Sequence, residues 1–540
     1  MTVRVAGAAA GPHNDVVTQL VDDKVASRLA ARDPALWGPD AEPEATVRLG
    51  WVGLPQSSRP LLAEIDRLRE QLWADGLDRV VLCGMGGSSL APEVIARTCA
   101  VDLEVLDSTA PSVVRRALDG DLVRTVVVIS SKSGTTVETD SQRRAFAHAF
   151  TEAGIEPASR FVVVTDPGSP LSRLATESGY RAVFHADPHV GGRYSALTAF
   201  GLLPTGLAGI DVTDLLDESV DVAPALAADD PVNPALQLGA VLGASSGRDK
   251  AVIVDAGSGI VGFGAWAEQL LAESTGKLGR GVLPVPVEGP DAPEVVAAAD
   301  DVVVAFLAHP DVAGEAHPDV SPEAAADLPV ATVAGPLGAQ LLLWEHATAV
   351  AGRLLKINPF DQPDVESAKA AARGLLDHRP EPEPPRFVDA AVEVRGSPGL
   401  LDGVDSLPAA VAALLHRLPE HGYAAVMAYL DPVRDAALTS CRTALARRTR
   451  RPVTFGWGPR FLHSTGQYHK GGPARGVYVQ VTVSADEDVA VPGRPFSFGE
   501  LIAAQAAGDA QVLADLDRPV LRLHLTDPEA GVRQVREALR

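Results

Sequence analysis

The chain has 540 residues, of which 46% are hydrophobic and 22% charged, and this globular composition excludes wholesale disorder. With 70 acidic and 47 basic residues the formal net charge is −23. We expect no nucleic-acid partner, because contacts to a phosphate backbone need clustered Lys and Arg. Any anionic ligand of so acidic a protein must be met by locally positive groups.

The cysteines and the apolar pattern indicate the compartment. Cys83, Cys99 and Cys441 are too few for a disulfide framework and no two have metal-ligand spacing, so we expect a reducing cytoplasm. The first residues lack the pattern of a signal peptide, and no apolar stretch reaches ~18 residues, so we expect no membrane association. No cluster of His, Cys, Asp and Glu has metal-site spacing, and we expect no metal.

The first half of the chain alternates short apolar runs with helical patterns. We expect an N-terminal helical extension over residues 1–44 and a first α/β domain over 45–225. Within that domain the sequence predicts strands at 80–83, 103–106, 125–130 and 161–165, and helices at 90–100, 113–118 and 137–153. Continuous apolar runs of strand length are typical of parallel strands buried on both faces. The alternation therefore predicts a doubly wound sheet.

The alternation begins again twice. A second domain over 226–377 has predicted strands at 251–255 and 301–307 and helices at 262–275 and 337–355. Residues 378–388 hold four prolines among charges and are predicted to be a linker. In a third unit, 389–540, we predict strands at 423–430, 452–457, 476–483 and 519–525 and helices at 431–448 and 498–507. The predicted fold class is α/β, with tandem doubly wound parallel sheets in three αβα layers and an additional C-terminal α/β unit.

The first strand of this pattern is followed by GMGGSS, which contains Gly86, Gly87 and Ser88. Glycines let the backbone approach an anion, and the N-terminus of the next helix offers free N–H groups. Asp107 follows about 20 residues on, where a dinucleotide-binding fold keeps the acid that binds ribose. A nicotinamide-dependent dehydrogenase is therefore one alternative.

A second loop, SSKSGTTVET, follows the strand at 125–130 and holds six hydroxyls and one lysine. This composition favours a site for a phosphate monoester, formed by Ser131, Lys132, Ser133 and Thr136. The alternative is a helix N-cap, but a cap needs one hydroxyl. A third loop, Gly191-Gly192-Arg193, could present its arginine to a ligand, although an isolated arginine in a turn is usually a surface residue.

Five segments together carry a family resemblance. GMGGSSLAPE, SSKSGTTVET and GGRYSALTAFG, with WAEQLLAESTGK and NPFDQPDVESAK further along, resemble the sugar-isomerase (SIS) domains of the glucose-6-phosphate isomerase family. A further segment, LHSTGQY at 462–468, resembles the histidine segment of that family. In the usual order the histidine segment lies between the glutamate and lysine segments, whereas here it follows both.

This order resembles the isomerase half of bacterial transaldolase–isomerase fusion proteins without the transaldolase half. It leaves open whether His463 acts within its own subunit or in a neighbour, and whether His469 takes the role instead. It also leaves open whether a separate transaldolase partner exists.

The resemblance implies an aldose–ketose isomerase that interconverts glucose 6-phosphate and fructose 6-phosphate through a cis-enediol, without a cofactor. It implies that Glu273 moves the proton between C2 and C1, that Lys369 and His463 open the sugar ring, and that Arg193 faces the enediolate. Ser88, Ser131, Lys132, Ser133, Thr136 and Gln362 would hold the phosphate on loops shaped by Gly86, Gly87 and Gly192. Family members are usually homodimers. A non-catalytic SIS protein that binds sugar phosphate is the alternative, and activity on mannose 6-phosphate stays open.

Overall fold

The computed structural model describes residues 1–6, 10–244, 247–312, 328–378 and 383–540. It also leaves the side chains of residues 10–12, 365–366, 368–369 and 377–378 undescribed. Four of the eleven residues of the predicted linker, 379–382, therefore lie outside the described residues. Among the described helices, none has the length and apolarity needed to cross a lipid bilayer.

The N-terminal segment leads along the chain into the first α/β unit. Residues 1–74 form β1 (Thr2–Ala6), α1 (Ala10–Asp22), α2 (Val25–Ala30), α3 (Glu42–Arg48), α4 (Leu54–Ser57) and α5 (Pro60–Ala74). The first unit then contains β2 (Arg79–Gly84), α6 (Leu90–Thr98), β3 (Glu104–Leu106), α7 (Pro111–Leu118), β4 (Thr125–Ser130), α8 (Val137–Glu152), β5 (Phe161–Thr165), α9 (Pro170–Glu177), β6 (Ala182–His185), α10 (Ala199–Leu207) and α11 (Thr213–Ala227).

Two further α/β units follow. The second contains α12 (Pro234–Ala244), β7 (Lys250–Ala256), α13 (Phe263–Thr275), β8 (Leu283–Val287), α14 (Pro293–Val296), β9 (Val302–Ala308), β10 (Val330–Ala334), α15 (Leu337–Leu355) and α16 (Val365–His378). The third contains β11 (Phe387–Asp389), β12 (Val392–Gly396), α17 (Leu407–His416), β13 (Tyr423–Tyr429), α18 (Ser440–Thr449), β14 (Val453–Trp457), α19 (Gly466–Gly471), β15 (Gly476–Val483), α20 (Phe498–Asp515), β16 (Val520–Leu525) and α21 (Pro528–Leu539).

Each unit is built on its own sheet. The first sheet has the order β3-β2-β4-β5-β6 and is parallel throughout. The second, β1-β10-β9-β7-β8, is parallel except for β1. The third, β11-β12-β16-β15-β13-β14, has parallel strands from β16 to β14 and an antiparallel edge. The predicted α/β class with parallel sheets is confirmed.

Neighbouring units share hydrophobic cores. Along β4, Val126 and Val128 enter one core, whereas Val127 and Ile129 enter another. The core of Val126 also contains alternate residues of β7, and the other face of β7 shares a third core with alternate residues of β13. Because each central strand is buried on both faces, the burial of apolar surface joins the three units along their length.

The structure corrects two of the predicted elements. Residues 1–44 are not wholly helical, because Thr2–Ala6 forms a strand that pairs antiparallel with β10 and covers the edge of the second sheet. The helix predicted at 431–448 begins only at Ser440. The Asp431 carboxylate accepts hydrogen bonds from the N–H groups of Val433 and Arg434 at 2.9 and 3.3 Å, which closes a turn where the helix was expected.

A buried glutamate in α15 gives a testable consequence for stability. Glu345 is 0% exposed, and neither carboxylate oxygen has a hydrogen-bond partner among the described residues. Burial raises the pKa of Glu345 well above its usual value. Since the unfolded chain releases this proton at lower pH than the folded one, the free energy of unfolding falls as pH rises above the unfolded pKa.

We predict that Glu345→Met raises the free energy of unfolding, and that the gain grows from about pH 5 to about pH 8 by up to ~1.4 kcal/mol per pH unit. Urea denaturation at both pH values measures this gain. Glu529→Met, which changes a side chain that is 89% exposed, is the matched control and should show no such pH-dependent gain. An equal gain at both pH values for Glu345→Met would contradict the prediction.

Candidate active site

The glycine loop and the hydroxyl loop lie side by side at one edge of the first sheet. They follow the carboxyl ends of β2 and β4, which are neighbours in that sheet. From β2 the chain passes to β3 on one side and then to β4 on the other, so this is the topological switch point where open α/β sheets bind ligands.

Two glycines bring other loops into contact with this edge. Gly86 has a positive φ of 56°, and a Cβ there would lie 2.7 Å from Nε2 of Gln269 and 3.0 Å from Cβ of His463. A Cβ on Gly87 would lie 2.0 Å from the carbonyl oxygen of Gly192. Glycine at both positions is therefore required for this close approach of the loops.

The hydroxyl loop is cross-linked by its own side chains. Ser131 Oγ shares a 3.0 Å hydrogen bond with Thr136 Oγ1 and accepts one from the Gly134 N–H at 3.2 Å, and Ser133 pairs with Thr135 at 2.9 Å. Thr136 is the N-cap residue of α8, yet its side chain makes no capping hydrogen bond. The arrangement thus differs from an ordinary N-cap and leaves the positive end of α8 to an anion.

Lys132, the lysine of the hydroxyl loop, is paired with a carboxylate of the protein. The Lys132 ammonium donates to both carboxylate oxygens of Asp166, at 2.9 and 2.8 Å, and to the Pro188 carbonyl at 3.4 Å. Its charge is thereby balanced by Asp166 within the protein, and contact of this ammonium with a phosphate stays a prediction. Ser88, in the glycine loop, is nearly buried at 9% exposure.

Arg193 joins three segments. It is 3% exposed, and its Nε donates to Ser274 Oγ at 2.8 Å. Its terminal nitrogens donate to the carbonyls of Pro359 and Asp361 at 2.9 and 2.8 Å and to the side-chain oxygen of Gln362. These hydrogen bonds hold the guanidinium rigidly, and it carries a positive charge.

Glu273 lies beside this arginine near the end of α13. One carboxylate oxygen is 3.7 Å from Arg193, and the same oxygen accepts a 3.3 Å hydrogen bond from Gln269, one helical turn earlier. Glu273 is 8% exposed. The pair places a potential base beside a fixed positive charge.

The histidine comes from the third unit of the same chain. His463 Nε2 is 3.1 Å from Oε1 of Glu138, in the first turn of α8, and Gln505 donates to the same oxygen at 2.7 Å. Glu138 thus links the histidine to the helix that carries the hydroxyl loop. When a carboxylate accepts a hydrogen bond from one ring nitrogen of a histidine, the other ring nitrogen is the one left for a second partner.

The rival histidine has a different environment. His469 is buried among the rings of Tyr423, Phe461 and Tyr478. Burial, together with nearby Lys470 and Arg518, lowers the pKa of His469 well below its usual value. It is a neutral residue of the core, and the geometry favours His463.

An ionic cluster anchors the segment that carries His463. Arg460 pairs with Asp107 at 3.1 Å and donates to Glu93. Burial alone would lower the pKa of Arg460, but these carboxylates outweigh it and raise that pKa. Burial raises the pKa of Asp107 to about 6. Because Asp107 is occupied by Arg460, it is not the free ribose acid that the dehydrogenase alternative needs.

The segment before α16 is held by a buried lysine. Lys277 donates to the carbonyl oxygen of Asn358 at 2.8 Å and to the Asp361 carboxylate at 2.7 Å. Burial, together with nearby Arg193, lowers the pKa of Lys277 to about 8. Gln362 is exposed beside this turn. Lys369 belongs to α16, but its side chain lies outside those described.

Four residues of this site were not predicted from the sequence: Glu138, Gln269, Ser274 and Arg460. Glu138 and Ser274 lie inside motifs that were singled out, and Gln269 precedes Glu273 by one turn. That spacing was a usable signal for Gln269. Arg460 had no such signal, because its partners Glu93 and Asp107 are more than 350 residues away.

The chain is similar in sequence to known proteins. The family model described as phosphoglucose isomerase matches residues 72–226. A probable glucose-6-phosphate isomerase of Haloarcula marismortui is 31% identical over 341 residues, which cover 55% of this chain and 78% of the relative. A glucose-6-phosphate isomerase of Rubrobacter xylanophilus is 30% identical over 380 residues, covering 59% of this chain and 87% of the relative.

Two solved structures are similar in fold. A hypothetical protein of Thermus thermophilus matches with a TM-score of 0.59 and 26% identity, over 69% of this chain and 100% of that chain. A glucose-6-phosphate isomerase of Chlamydia trachomatis matches with a TM-score of 0.54 and 20% identity, over 68% of this chain and 86% of that chain.

The doubly wound fold, with relatives named glucose-6-phosphate isomerase, shows an enzyme of the aldose–ketose isomerase class. With the two relatives above, each matched over more than three quarters of its length, the chain belongs to the glucose-6-phosphate isomerase family. The further resemblance to transaldolase–isomerase fusion proteins stays a prediction.

Arg460 is expected to act as a positioning residue. Arg460→Gln removes the counter-charge of Asp107 and leaves Glu93 with Arg97 alone, at 3.6 Å, so we predict a free energy of unfolding lower by about 2 kcal/mol. We also predict that kcat falls about tenfold while KM stays within about twofold, because His463 is displaced but the hydroxyl loop is not. Denaturation and steady-state kinetics measure both effects.

The matched control is Arg475→Gln, which changes an exposed arginine of the third unit that pairs with Asp249 of the second unit. It should leave kcat unchanged, and Arg460→Lys should restore part of the lost rate because it keeps the charge. A loss of stability without any change in kcat would show that Arg460 has a structural role only.

Proposed function

We propose that the protein interconverts glucose 6-phosphate and fructose 6-phosphate through a cis-enediol. The observation that supports this most directly is the position of Glu273 against Arg193, with Gln269 and His463 both packed against Gly86. Isomerisation needs a base next to C1 and C2 and positive charge near the developing enediolate. Glu273 and Arg193 have the chemistry for these two roles.

Glu273 takes the proton from C2 and returns it to C1. Gln269 donates to the carboxylate and orients it, and Arg193 stabilises the negative charge that develops on the enediol oxygens. Because the arginine's hydrogen bonds to Ser274 and to the 359–362 segment already hold it in place, little reorganisation is needed as the charge develops.

His463 opens the sugar ring, with Lys369 as the second group by resemblance. With Nε2 bound to Glu138, Nδ1 of His463 is left to exchange a proton with the ring oxygen. Glu138 stabilises the protonated imidazole and fixes its tautomer, as a carboxylate behind a histidine does in general acid–base catalysis.

The phosphate is proposed to bind at the hydroxyl loop and the glycine loop. Ser88, Ser131, Ser133, Thr136 and the amide of Gln362 are its donors, together with the N–H groups at the start of α8. The Lys132 ammonium pairs with Asp166, and its contact with the phosphate stays a prediction. A sugar phosphate as substrate and a cytoplasmic location, which the three free cysteines favour, belong to this proposal.

The catalytic role of Glu273 has a direct test. Glu273→Gln should lower kcat by about 10³-fold, because the amide cannot take the C2 proton, while binding of glucose 6-phosphate is retained. In heavy water the wild-type protein should introduce deuterium at C2, and the variant should not. Glu177→Gln, an exposed helix-end glutamate of α9, is the matched control.

The alternatives give different results in the same experiment. A non-catalytic sugar-phosphate-binding protein would show no exchange in the wild type and no loss in the variant. Saturable binding of NADH would favour the dehydrogenase. Mannose 6-phosphate as a second substrate tests the breadth of the activity.

We further propose that His463 serves the site of its own chain, in a homodimer as the family resemblance implies. The support is the hydrogen bond between His463 and Glu138 within one chain. Co-expressed, differently tagged Glu273→Gln and His463→Ala chains should then form hybrids without recovered activity, since each site carries one defect. If the histidine acted in a neighbour, one site per hybrid would be intact and about half of the wild-type activity per hybrid would return.

A further inference from the structure

A cavity of about 510 Å³ lies against the hydroxyl loop, between α8, α9, α16 and the 494–496 segment. Ser131, Thr135 and Thr136 form one wall, and Leu171 and Leu174 of α9 form another. The volume is within the range of small-molecule sites. Glu273, Arg193 and His463 are not among the described residues that line it, so the cavity differs from the cleft proposed for catalysis.

Four arginines line this cavity: Arg143, Arg144, Arg373 and Arg494. Among its described lining residues, Asp140 is the only acidic one. The lining therefore carries a formal charge of about +3, in a protein whose net charge is −23. Such a local reversal of charge is what binding of an anion requires.

Three of these arginines are held in place before any ligand binds. Asp140 accepts hydrogen bonds from Arg143 at 2.7 Å, from Arg144 at 2.8 Å and from Arg494 at 2.8 Å. Burial alone would raise the pKa of Asp140, but the three arginines outweigh it and lower that pKa to about 2, so the carboxylate stays ionised. Since each guanidinium has five N–H donors, the arginines keep donors for a further anion.

We propose that this arginine cavity binds a ligand with several linked phosphate groups and that its occupation excludes the sugar phosphate. The competition follows because Ser131 and Thr136 belong both to the cavity wall and to the proposed phosphate loop. This competition rests on the proposed function, whereas binding of the polyphosphate does not.

Sodium tripolyphosphate is the probe, with orthophosphate for comparison, and isothermal titration calorimetry measures binding. Arg373→Gln and Arg494→Gln change the two exposed arginines and are the least disruptive variants. Each should raise the Kd for tripolyphosphate about tenfold, the effect of one lost charged hydrogen bond. Affinity for orthophosphate and for glucose 6-phosphate should change less than about twofold. Saturating glucose 6-phosphate should weaken tripolyphosphate binding in the wild type.

The matched control is Arg533→Gln, an exposed arginine of α21 paired with Glu529. If Arg533→Gln raised the Kd for tripolyphosphate as much as the cavity variants do, the effect would come from the overall charge of the protein. That result would overturn the proposal. So would tripolyphosphate binding no tighter than orthophosphate. If the cavity variants weaken glucose 6-phosphate binding as much as tripolyphosphate binding, the cavity is the substrate's own phosphate site. Absence of isomerase turnover would contradict the proposed function alone, because calorimetry needs no turnover.

Discussion

The hydrogen bond between His463 and Glu138 joins residues that are 325 positions apart, and the candidate site depends on it. It forms only when the third unit is docked onto the first, with the Arg460 cluster seated on Asp107 and Glu93. Both carboxylates belong to the unit that carries the hydroxyl loop. Docking therefore brings the histidine next to the helix that follows the hydroxyl loop.

Hydrophobic cores that are shared between units stabilise the docking of the third unit. The third core contains residues of β7 and β13 together, so parting the second and third units would expose apolar surface from both sheets. Polar contacts then fix how the units are aligned with one another. Arg442, for example, reaches from α18 to Glu288 and Glu294 of the second unit. Burial of apolar surface holds the units together. The ion pairs between units fix the alignment that a site for proton transfer needs.

Local patterns predicted most of the strands, since a run such as residues 125–130 is β-branched and buried on both faces. The loops of the site were recognisable because they follow strand ends and concentrate glycines or hydroxyls. What could not be predicted depends on distant partners. Nothing near Lys132 indicates that Asp166 takes its charge, and nothing near Arg460 indicates Glu93. The strand at residues 2–6 was missed because its partner, β10, is over 320 residues away.

The order of strands in the third sheet has a consequence for biosynthesis. β16 pairs with both β12 and β15, so this sheet is incomplete until residues up to 525 have left the ribosome. The first two units, which carry Glu273, Arg193 and the hydroxyl loop, are synthesised before that point, whereas His463 belongs to the last unit. The unit that carries the histidine is therefore the last to complete its sheet as the chain is made.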